Sequence, residues 1–185
     1  MSRFARNTLI ASVAAAAASA GFLVADFNRK PPLEPVIASP DKAKLATSQL
    51  LAMTLPDSGA TPRALSLWGD KVLVVNFWAT WCLPCREEMP GFSRLHSKYA
   101  AKGVQFVGIA FDSADKVREF AELTPVSYPL LIANSTLMPV TAALGDAVGG
   151  LPFTVIIGRD GLLLHSRLGL WKEAVLDAIL ADQTK

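Results

Sequence analysis

Apolar residues in this chain occur in two kinds of pattern. Continuous runs rich in Val, Ile and Phe predict strands buried on both faces, and apolar residues three or four apart predict amphipathic helices. We expect strands at residues 72–78, 104–111, 128–133, 153–158 and 162–167. We expect helices at residues 82–101, 114–123, 135–144 and 171–181. Alternating strands and helices followed by a hairpin indicate an α/β fold with a mixed sheet.

The segment before the first buried strand is divided into a linker and a hairpin. Residues 28–44 contain four prolines and no periodic apolar pattern, which predicts an extended tether. Residues 50–55 and 63–67 flank a turn that begins at Pro56, and this arrangement predicts a short β-hairpin. We therefore place the Pro-rich linker at residues 28–46 and the folded domain at residues 47–185.

The first 27 residues predict an export segment. Arg3 and Arg6 are followed by an uncharged, Ala-rich stretch that ends at Asp26, which is typical of a signal peptide. A stretch of this length would also cross ~30 Å of hydrocarbon as a helix, so cleavage and retention as a membrane anchor both stay open. The positive-inside tendency places the rest of the chain on the periplasmic side of the inner membrane, tethered or released.

Composition and charge exclude two classes of function. Hydrophobic residues make up 51% of the chain, charged residues make up 18%, and the net charge is +2 without basic runs. This charge pattern does not suit binding to nucleic-acid phosphates. The chain has 2 cysteines, too few for a scaffold held together by disulfides. The cysteine pair therefore indicates chemistry rather than a structural role.

Cys82-Leu83-Pro84-Cys85 follows a predicted buried strand and begins a predicted helix. The positive end of the helix dipole makes the first thiol lose its proton more easily, which predicts that Cys82 is the nucleophile. Cys85 lies one turn later on the same face, where it can resolve a mixed disulfide formed by Cys82. Leu83 and Pro84 supply no charge to stabilise the thiolate further, which favours a reductase.

Other roles for the two cysteines remain open. A disulfide oxidase or isomerase would use the same pair. A Cu(I)-binding dithiol module would suit soft thiolate ligands but has no evident third ligand. Structural zinc would need two more ligands, whereas His96 and His165 lie on separate predicted elements. We therefore expect no metal site.

The residues around the cysteines resemble the TlpA/ResA-like branch of the thioredoxin superfamily, which is related to the AhpC/TSA redoxins. Residues 74–85 read VVNFWATWCLPC, Glu88-Met89-Pro90 follows, and Gly150-Leu151-Pro152 precedes FTVIIGRDG. The resemblance extends from about residue 50 to the C-terminus. It implies a thioredoxin-like fold in which helices flank a central mixed sheet, with an N-terminal β-hairpin and a helix–strand insertion at about residues 112–135.

The resemblance also implies a substrate-binding surface beside the dithiol. Trp81 corresponds to the aromatic residue that shields the cysteines, and Pro152 corresponds to a cis-proline that faces them. We expect Leu151 and Phe153 to belong to the same surface. Phe153 stands where CcmG-type reductases carry a glutamate, so dedicated cytochrome c maturation is not expected. The side chain of Phe153 either makes the groove more apolar or fills the core.

Two positions, those of Asn76 and Glu88, are candidates for accepting the proton that the second thiol, Cys85, must lose. Asn76 stands where thioredoxin carries a buried aspartate, and an amide cannot titrate. Glu88 lies three residues after Cys85 on the same helical face and corresponds to the acid proposed for this task in ResA-like proteins. Partial burial would raise its pKa toward the working range. The alternative is a glutamate that complements the helix dipole or pairs with Arg86.

These observations predict an exported, membrane-tethered enzyme that reduces protein disulfides with Cys82, Cys85 and Glu88. The resemblance implies no bound cofactor. It implies a membrane electron donor of the DsbD/CcdA type that restores the dithiol, and protein disulfides or dithiols as substrates.

Overall fold

The computed structural model describes residues 39–185. The predicted export segment and the first part of the predicted linker lie outside these residues. The helices are α1 (Pro40–Leu51), α2 (Leu83–Tyr99), α3 (Ala114–Leu123), α4 (Leu137–Leu144) and α5 (Glu173–Gln183). The strands are β1 (Thr54–Pro56), β2 (Pro62–Ala64), β3 (Val72–Trp78), β4 (Val104–Ala110), β5 (Leu130–Ile132), β6 (Phe153–Ile157) and β7 (Leu163–Leu168). Within residues 39–185, no helix is long and apolar enough to span a bilayer.

A mixed sheet of five strands in the order β5-β4-β3-β6-β7 forms the centre of the fold. Strand β3 runs parallel to β4 and antiparallel to β6, and all seven of its residues are buried. This burial is what the continuous apolar run in the sequence predicts. Strands β5 and β7 complete the sheet, parallel to β4 and antiparallel to β6 respectively. The predicted α/β fold with a mixed sheet is confirmed.

Alternate residues of β3 face two separate cores, because successive side chains of a strand point to opposite sides. Core A contains Val74 and Trp78 of β3 together with apolar residues of α2, α3 and α5. Core B contains Val75 and Phe77 together with apolar residues of α1 and α4. Asn76 has the same parity as Trp78, so its side chain lies on the face of the sheet that α2 covers.

Helix α1 corrects the predictions for the segment before the hairpin. Residues 40–44 were expected to be extended and residues 50–55 were expected to form a strand, but α1 covers residues 40–51. Pro40 occupies the first turn, where a missing backbone N–H is tolerated. Ala43, Ala46 and Leu50 are buried at helical spacing and turn one face of α1 inward. Packed structure therefore includes residues that the sequence placed in the linker.

The predicted N-terminal hairpin is confirmed, although its strands are shorter than expected. Strands β1 and β2 pair antiparallel, and residues 65–68 form a 3₁₀ turn rather than the end of a strand. The Asp57 carboxylate accepts the backbone N–H groups of Gly59 and Thr61, both at 2.9 Å, and thereby closes the turn. Asp57 also forms an antiparallel bridge to Leu131, so the hairpin lies against edge strand β5.

The predicted insertion is present as helix α3 and strand β5, which lie between β4 and α4. Helix α2 ends close to the predicted position, in a short 3₁₀ turn at residues 100–102. Gly103 follows with φ +78°, a left-handed conformation that glycine adopts without a steric penalty. This turn leads the chain directly into β4.

Candidate active site

Cys82 and Cys85 lie where the chain passes from β3 to α2, and a disulfide joins them with their Cα atoms 5.3 Å apart. Cys82 is the N-cap residue of α2, and its Sγ accepts the backbone N–H of Cys85 at 3.3 Å. Pro84 stands in the first turn, where it favours the start of the helix. Cys82 is 5% exposed and Cys85 is fully buried, so an incoming sulfur reaches Cys82 first.

Two large apolar side chains flank the disulfide at the surface. Trp81 is 69% exposed and Leu83 is 64% exposed. The Leu151–Pro152 peptide bond is cis, in agreement with the resemblance. Because Phe77 and Phe153 are directly paired between β3 and β6, Pro152 lies at the same end of the sheet as the start of α2. The structure thus brings Trp81, Cys82 and Pro152 to one end of the sheet.

The structure corrects the assignment of Phe153 to the substrate groove. Its side chain is 1% exposed and packs in core B, where its ring stacks on Phe77 with centroids 5.7 Å apart. Cys82 and Cys85 belong to core A, on the opposite face of the sheet. Phe153 therefore fills the core, as the alternative interpretation held. Leu151 is half-buried and packs against both cores.

Glu88 is buried in α2 and its carboxylate is held from two sides. The Asn76 Nδ2 group donates a hydrogen bond to Oε1 at 2.8 Å, and the backbone N–H of Trp171 donates to Oε2 at 2.9 Å. Burial raises the pKa of Glu88 from 4.5 to about 7, while the two hydrogen bonds and the charge of Arg167 act in the opposite direction. This carboxyl group therefore exchanges its proton near neutral pH.

The alternative role of Glu88 as a surface partner of Arg86 does not fit these contacts. The Arg86 guanidinium lies over the Phe120 ring, 5.9 Å from its centroid. Glu88 is 5% exposed, whereas the neighbouring Glu87 is exposed, as expected from its position on the helix. Glu88 thus faces the sheet below α2 rather than solvent.

Two groups that hold this network are not predicted from the sequence. Thr154 accepts the second N–H of the Asn76 amide at 2.9 Å, and it is 1% exposed. A threonine in the otherwise apolar run FTVII was the one available signal for this contact. The Trp171 contact is made by a backbone N–H, and a group that every residue except proline carries leaves no signal in the sequence.

Metal ligands other than the cysteines are scarce in the described part of the chain. Within residues 39–185, no three side chains of His, Cys, Asp or Glu converge as a metal site would require. His96 interacts through Nδ1 with the Ser127 hydroxyl, and burial lowers its pKa. His165 is exposed on β7.

Comparison with known proteins identifies the family. A model of the AhpC/TSA family matches residues 46–166. The chain belongs to this family. Within the wider group, the thiol-disulfide oxidoreductase ResA of Bacillus cereus (strain ZK / E33L) is 32% identical over 115 residues, covering 62% of this chain and 64% of the relative. The thioredoxin-like protein YneN of Bacillus subtilis (strain 168) is 48% identical over 105 residues, covering 55% and 58% respectively. The chain thus spans less than two thirds of the length of either relative.

Solved structures of related proteins share the fold of this family member. A thiol:disulfide interchange protein of the thioredoxin family from Chlorobium tepidum TLS superposes with a TM-score of 0.66 at 26% identity, covering 72% of this chain and 93% of that one. A thioredoxin-related protein from Neisseria meningitidis serogroup B has a TM-score of 0.61 at 36% identity, covering 70% and 97%. These likenesses confirm the predicted thioredoxin-like fold and the resemblance to the TlpA/ResA-like branch.

Proposed function

We propose that this protein is a thiol-disulfide oxidoreductase that reduces disulfides in other proteins. The observation that carries the proposal is the position of Cys82 and Cys85. Both belong to the first turn of α2, and the outer sulfur is the one that caps the helix. The similarity to ResA and YneN supports the same chemistry.

The reaction begins from the reduced pair. The Cys82 thiolate attacks one sulfur of a substrate disulfide, and the other substrate sulfur leaves as a thiolate. Cys85 then loses its proton and attacks the Cys82 sulfur. This second step forms the Cys82–Cys85 disulfide and releases the remaining substrate sulfur, so that two electrons pass to the substrate and its two sulfurs become thiols. Both steps need a thiolate, which the N-terminal end of α2 favours electrostatically.

Glu88 is suited to accept the proton that Cys85 releases. It lies three residues beyond Cys85 on the same side of α2, and both residues are buried. A base works best when its pKa is close to the working pH, and the pKa of Glu88 is about 7. We therefore assign Glu88 as the general base for the resolving step. In the reverse direction, the same carboxyl group would return the proton.

Reduction, rather than oxidation, is the direction that the local sequence favours. Leu83 and Pro84 separate the cysteines and contribute no positive charge, so they offer Cys82 little stabilisation beyond that of the helix end. A strong oxidant needs the opposite, because its reduced form is stabilised. Trp81 and Leu83 give the approaching substrate an apolar surface beside the disulfide.

For location and partners, we propose an exported protein held at the periplasmic side of the inner membrane. The pattern of charge and hydropathy in residues 1–27 supports this proposal. A reductase in an oxidising compartment needs electrons from elsewhere. We propose a membrane donor of the DsbD/CcdA type that delivers two electrons and two protons to the Cys82–Cys85 disulfide.

The test is to trap the mixed disulfide with Cys85→Ser. In this variant Cys82 attacks a substrate disulfide but nothing resolves the product, so a covalent adduct of the variant with a disulfide-containing peptide should accumulate. Cys82→Ser is the matched control, because its remaining thiol is fully buried. Mass spectrometry of non-reduced samples measures the adduct. Equal yields from the two variants, or no adduct from Cys85→Ser, would contradict the proposal.

A further inference from the structure

We infer that Asn76 and Thr154 act as a pair of positioning residues, which orient a fixed hydrogen-bond donor toward the Glu88 carboxyl group. This inference rests on the proposed function, because it concerns the residue that accepts the Cys85 proton. The pair is not part of the cysteine motif, and neither side chain titrates.

The sheet places the two residues opposite each other. Asn76 of β3 and Thr154 of β6 are directly paired in the antiparallel register, and both side chains point to the face that α2 covers. Each residue is 1% exposed. The Asn76 Nδ2 group donates to Glu88 Oε1 at 2.8 Å and to Thr154 Oγ1 at 2.9 Å. Both protons of the amide are therefore used.

Orientation of the amide decides whether Asn76 helps or hinders an ionised Glu88. If the amide were rotated by half a turn, its carbonyl oxygen would face the carboxylate and two acceptors would oppose each other. In the observed orientation the NH₂ group donates to both the Thr154 hydroxyl and the Glu88 carboxylate, whereas a rotated amide would keep only a hydrogen bond from the hydroxyl, which donates as well as accepts. Since an amide cannot lose a proton in this pH range, the donor remains in place whether Glu88 is charged or neutral.

Packing alone does not account for either polar residue. Asn76 interrupts the apolar run of β3, and Thr154 interrupts that of β6. Valine has nearly the shape of threonine and suits a buried strand well. A buried amide is costly unless its groups are hydrogen-bonded. The Thr154 hydroxyl and the Glu88 carboxylate satisfy the two N–H groups of the amide, while the Asn76 carbonyl oxygen has no hydrogen-bond partner among the described residues.

Other groups around Glu88 also influence its pKa. Burial is the largest influence and raises the Glu88 pKa. The Trp171 N–H and the positive charge of Arg167 on β7 act against burial. Tyr128, just before β5, is buried, and its own pKa is raised by burial and then by the charge of Glu88, so it stays neutral. Cys85 lies on α2 itself. Removal of the Asn76 donor would leave the increase in the Glu88 pKa caused by burial less opposed.

Thr154→Val and Thr154→Ser provide a matched test in the oxidised protein, in which neither cysteine titrates. Carbon-13 NMR of the Glu88 side-chain carboxyl reports its pKa directly. Valine removes the acceptor that orients the amide, and the Glu88 pKa should rise by about one pH unit, the size expected for one lost hydrogen bond to a charged group. Serine keeps the hydroxyl, and the Glu88 titration should stay as in the wild type. Asn76→Ala removes the donor itself and should raise the pKa at least as far as Thr154→Val.

A pH profile of single-turnover reduction of a disulfide peptide gives a second readout. The inflection assigned to Glu88 should move upward in Thr154→Val and return in Thr154→Ser, which a purely structural role would not produce. If Thr154→Val fails to fold, Asn76→Ala and Thr154→Ala decide the question. An unchanged Glu88 pKa in the folded variants would overturn the inference. Because the NMR titration needs no turnover, this result is distinct from a failure of wild-type protein to reduce disulfides.

Discussion

At the scale of single residues, Glu88 shows how burial and hydrogen bonding oppose each other on one carboxyl group. Burial under α2 penalises the charged form, whereas the Asn76 amide and the Trp171 N–H stabilise it. The balance leaves the pKa at about 7 rather than at the extremes that burial alone or full solvation would produce. The same balance that suits proton transfer affects folding, because the unfolded chain exposes this carboxyl to water.

Glu88→Gln should therefore change how stability depends on pH. The Glu88 pKa is about 7 in the folded protein against 4.5 for an ordinary glutamate. The contribution of this proton to stability is full below pH 4.5 and is lost as the pH rises to about 7, because the unfolded chain ionises first. This difference corresponds to about 3 kcal/mol. The free energy of unfolding of Glu88→Gln, relative to wild type, should rise by about that amount between pH 4 and 8.

Urea unfolding of the oxidised protein at a series of pH values measures this difference. Glu87→Gln is the control, because Glu87 is the neighbouring glutamate on the same helix and is exposed. It should follow the wild-type profile at every pH. If Glu88→Gln and wild type keep a constant difference from pH 4 to 8, then the carboxyl is not buried as described.

At the scale of elements, helix α1 is the least expected part of the fold. Prolines lie before and at its first residue and its buried side chains include two alanines, so its apolar face is weak in the sequence. The decisive contact is Leu50, which is fully buried in core B. Helix α1 packs against α4 and so covers the face of the sheet opposite to the cysteines. The hairpin and the central sheet follow this packed helix in the chain.

Leu50→Ala should lower the free energy of unfolding by about 2–5 kcal/mol, because it removes buried methyl groups and leaves a cavity. Leu45→Ala on the same helix is the matched control, since Leu45 is 61% exposed. It should change the stability by less than about 0.5 kcal/mol. Denaturant unfolding of the two variants measures both values. Equal effects would mean that α1 does not pack against core B.

The sequence predicts the elements whose local pattern is strong. The run VLVVNFW gives β3, and the apolar residues from Met89 to Tyr99 give α2. A continuous apolar run does not predict which side chains of a buried strand face each core. Strand β6 is apolar on both faces, so its pattern does not distinguish one register from the next. Because of this ambiguity, the sequence does not determine which way Phe153 points and does not predict the contact made by Thr154.

Some residues of the candidate site can be predicted from local sequence, whereas others come together only through tertiary structure. Cys82, Cys85 and Glu88 lie on one helix, where spacing along the chain determines which side chains share a face. Asn76 and Thr154 meet through pairing of strands that are far apart in sequence. The Trp171 N–H reaches Glu88 through the loop before α5. Contacts of this kind depend on tertiary structure, and no local pattern encodes them.

At the scale of the whole molecule, the direction of electron flow depends on the relative stabilities of the oxidised and reduced protein. An oxidant such as DsbA has a potential near −120 mV because its reduced form is stabilised, whereas thioredoxin lies near −270 mV. The interval of roughly 150 mV corresponds to about 7 kcal/mol for a two-electron couple. Leu83 and Pro84 give the reduced form of this protein no additional charge stabilisation.

We therefore expect a reduction potential near −270 mV, and an oxidised form at least as stable toward denaturant as the reduced form. Equilibration with a thiol–disulfide redox buffer measures the potential, and urea unfolding of both forms checks the thermodynamic cycle. A potential near −120 mV, together with a more stable reduced form, would assign the protein to the oxidases instead.

The N-terminal hairpin has a consequence for how copies of this molecule behave in a crowded compartment. An open sheet ends in strands with unpaired backbone groups, which are templates for aggregation with other chains. Here β5 is three residues long, and the bridge between Asp57 and Leu131 occupies part of its outer edge. The opposite edge, β7, has an irregular register against β6, and its charged or polar residues His165 and Arg167 are exposed. Both borders of the sheet therefore offer a neighbouring chain only a short or irregular edge for strand addition.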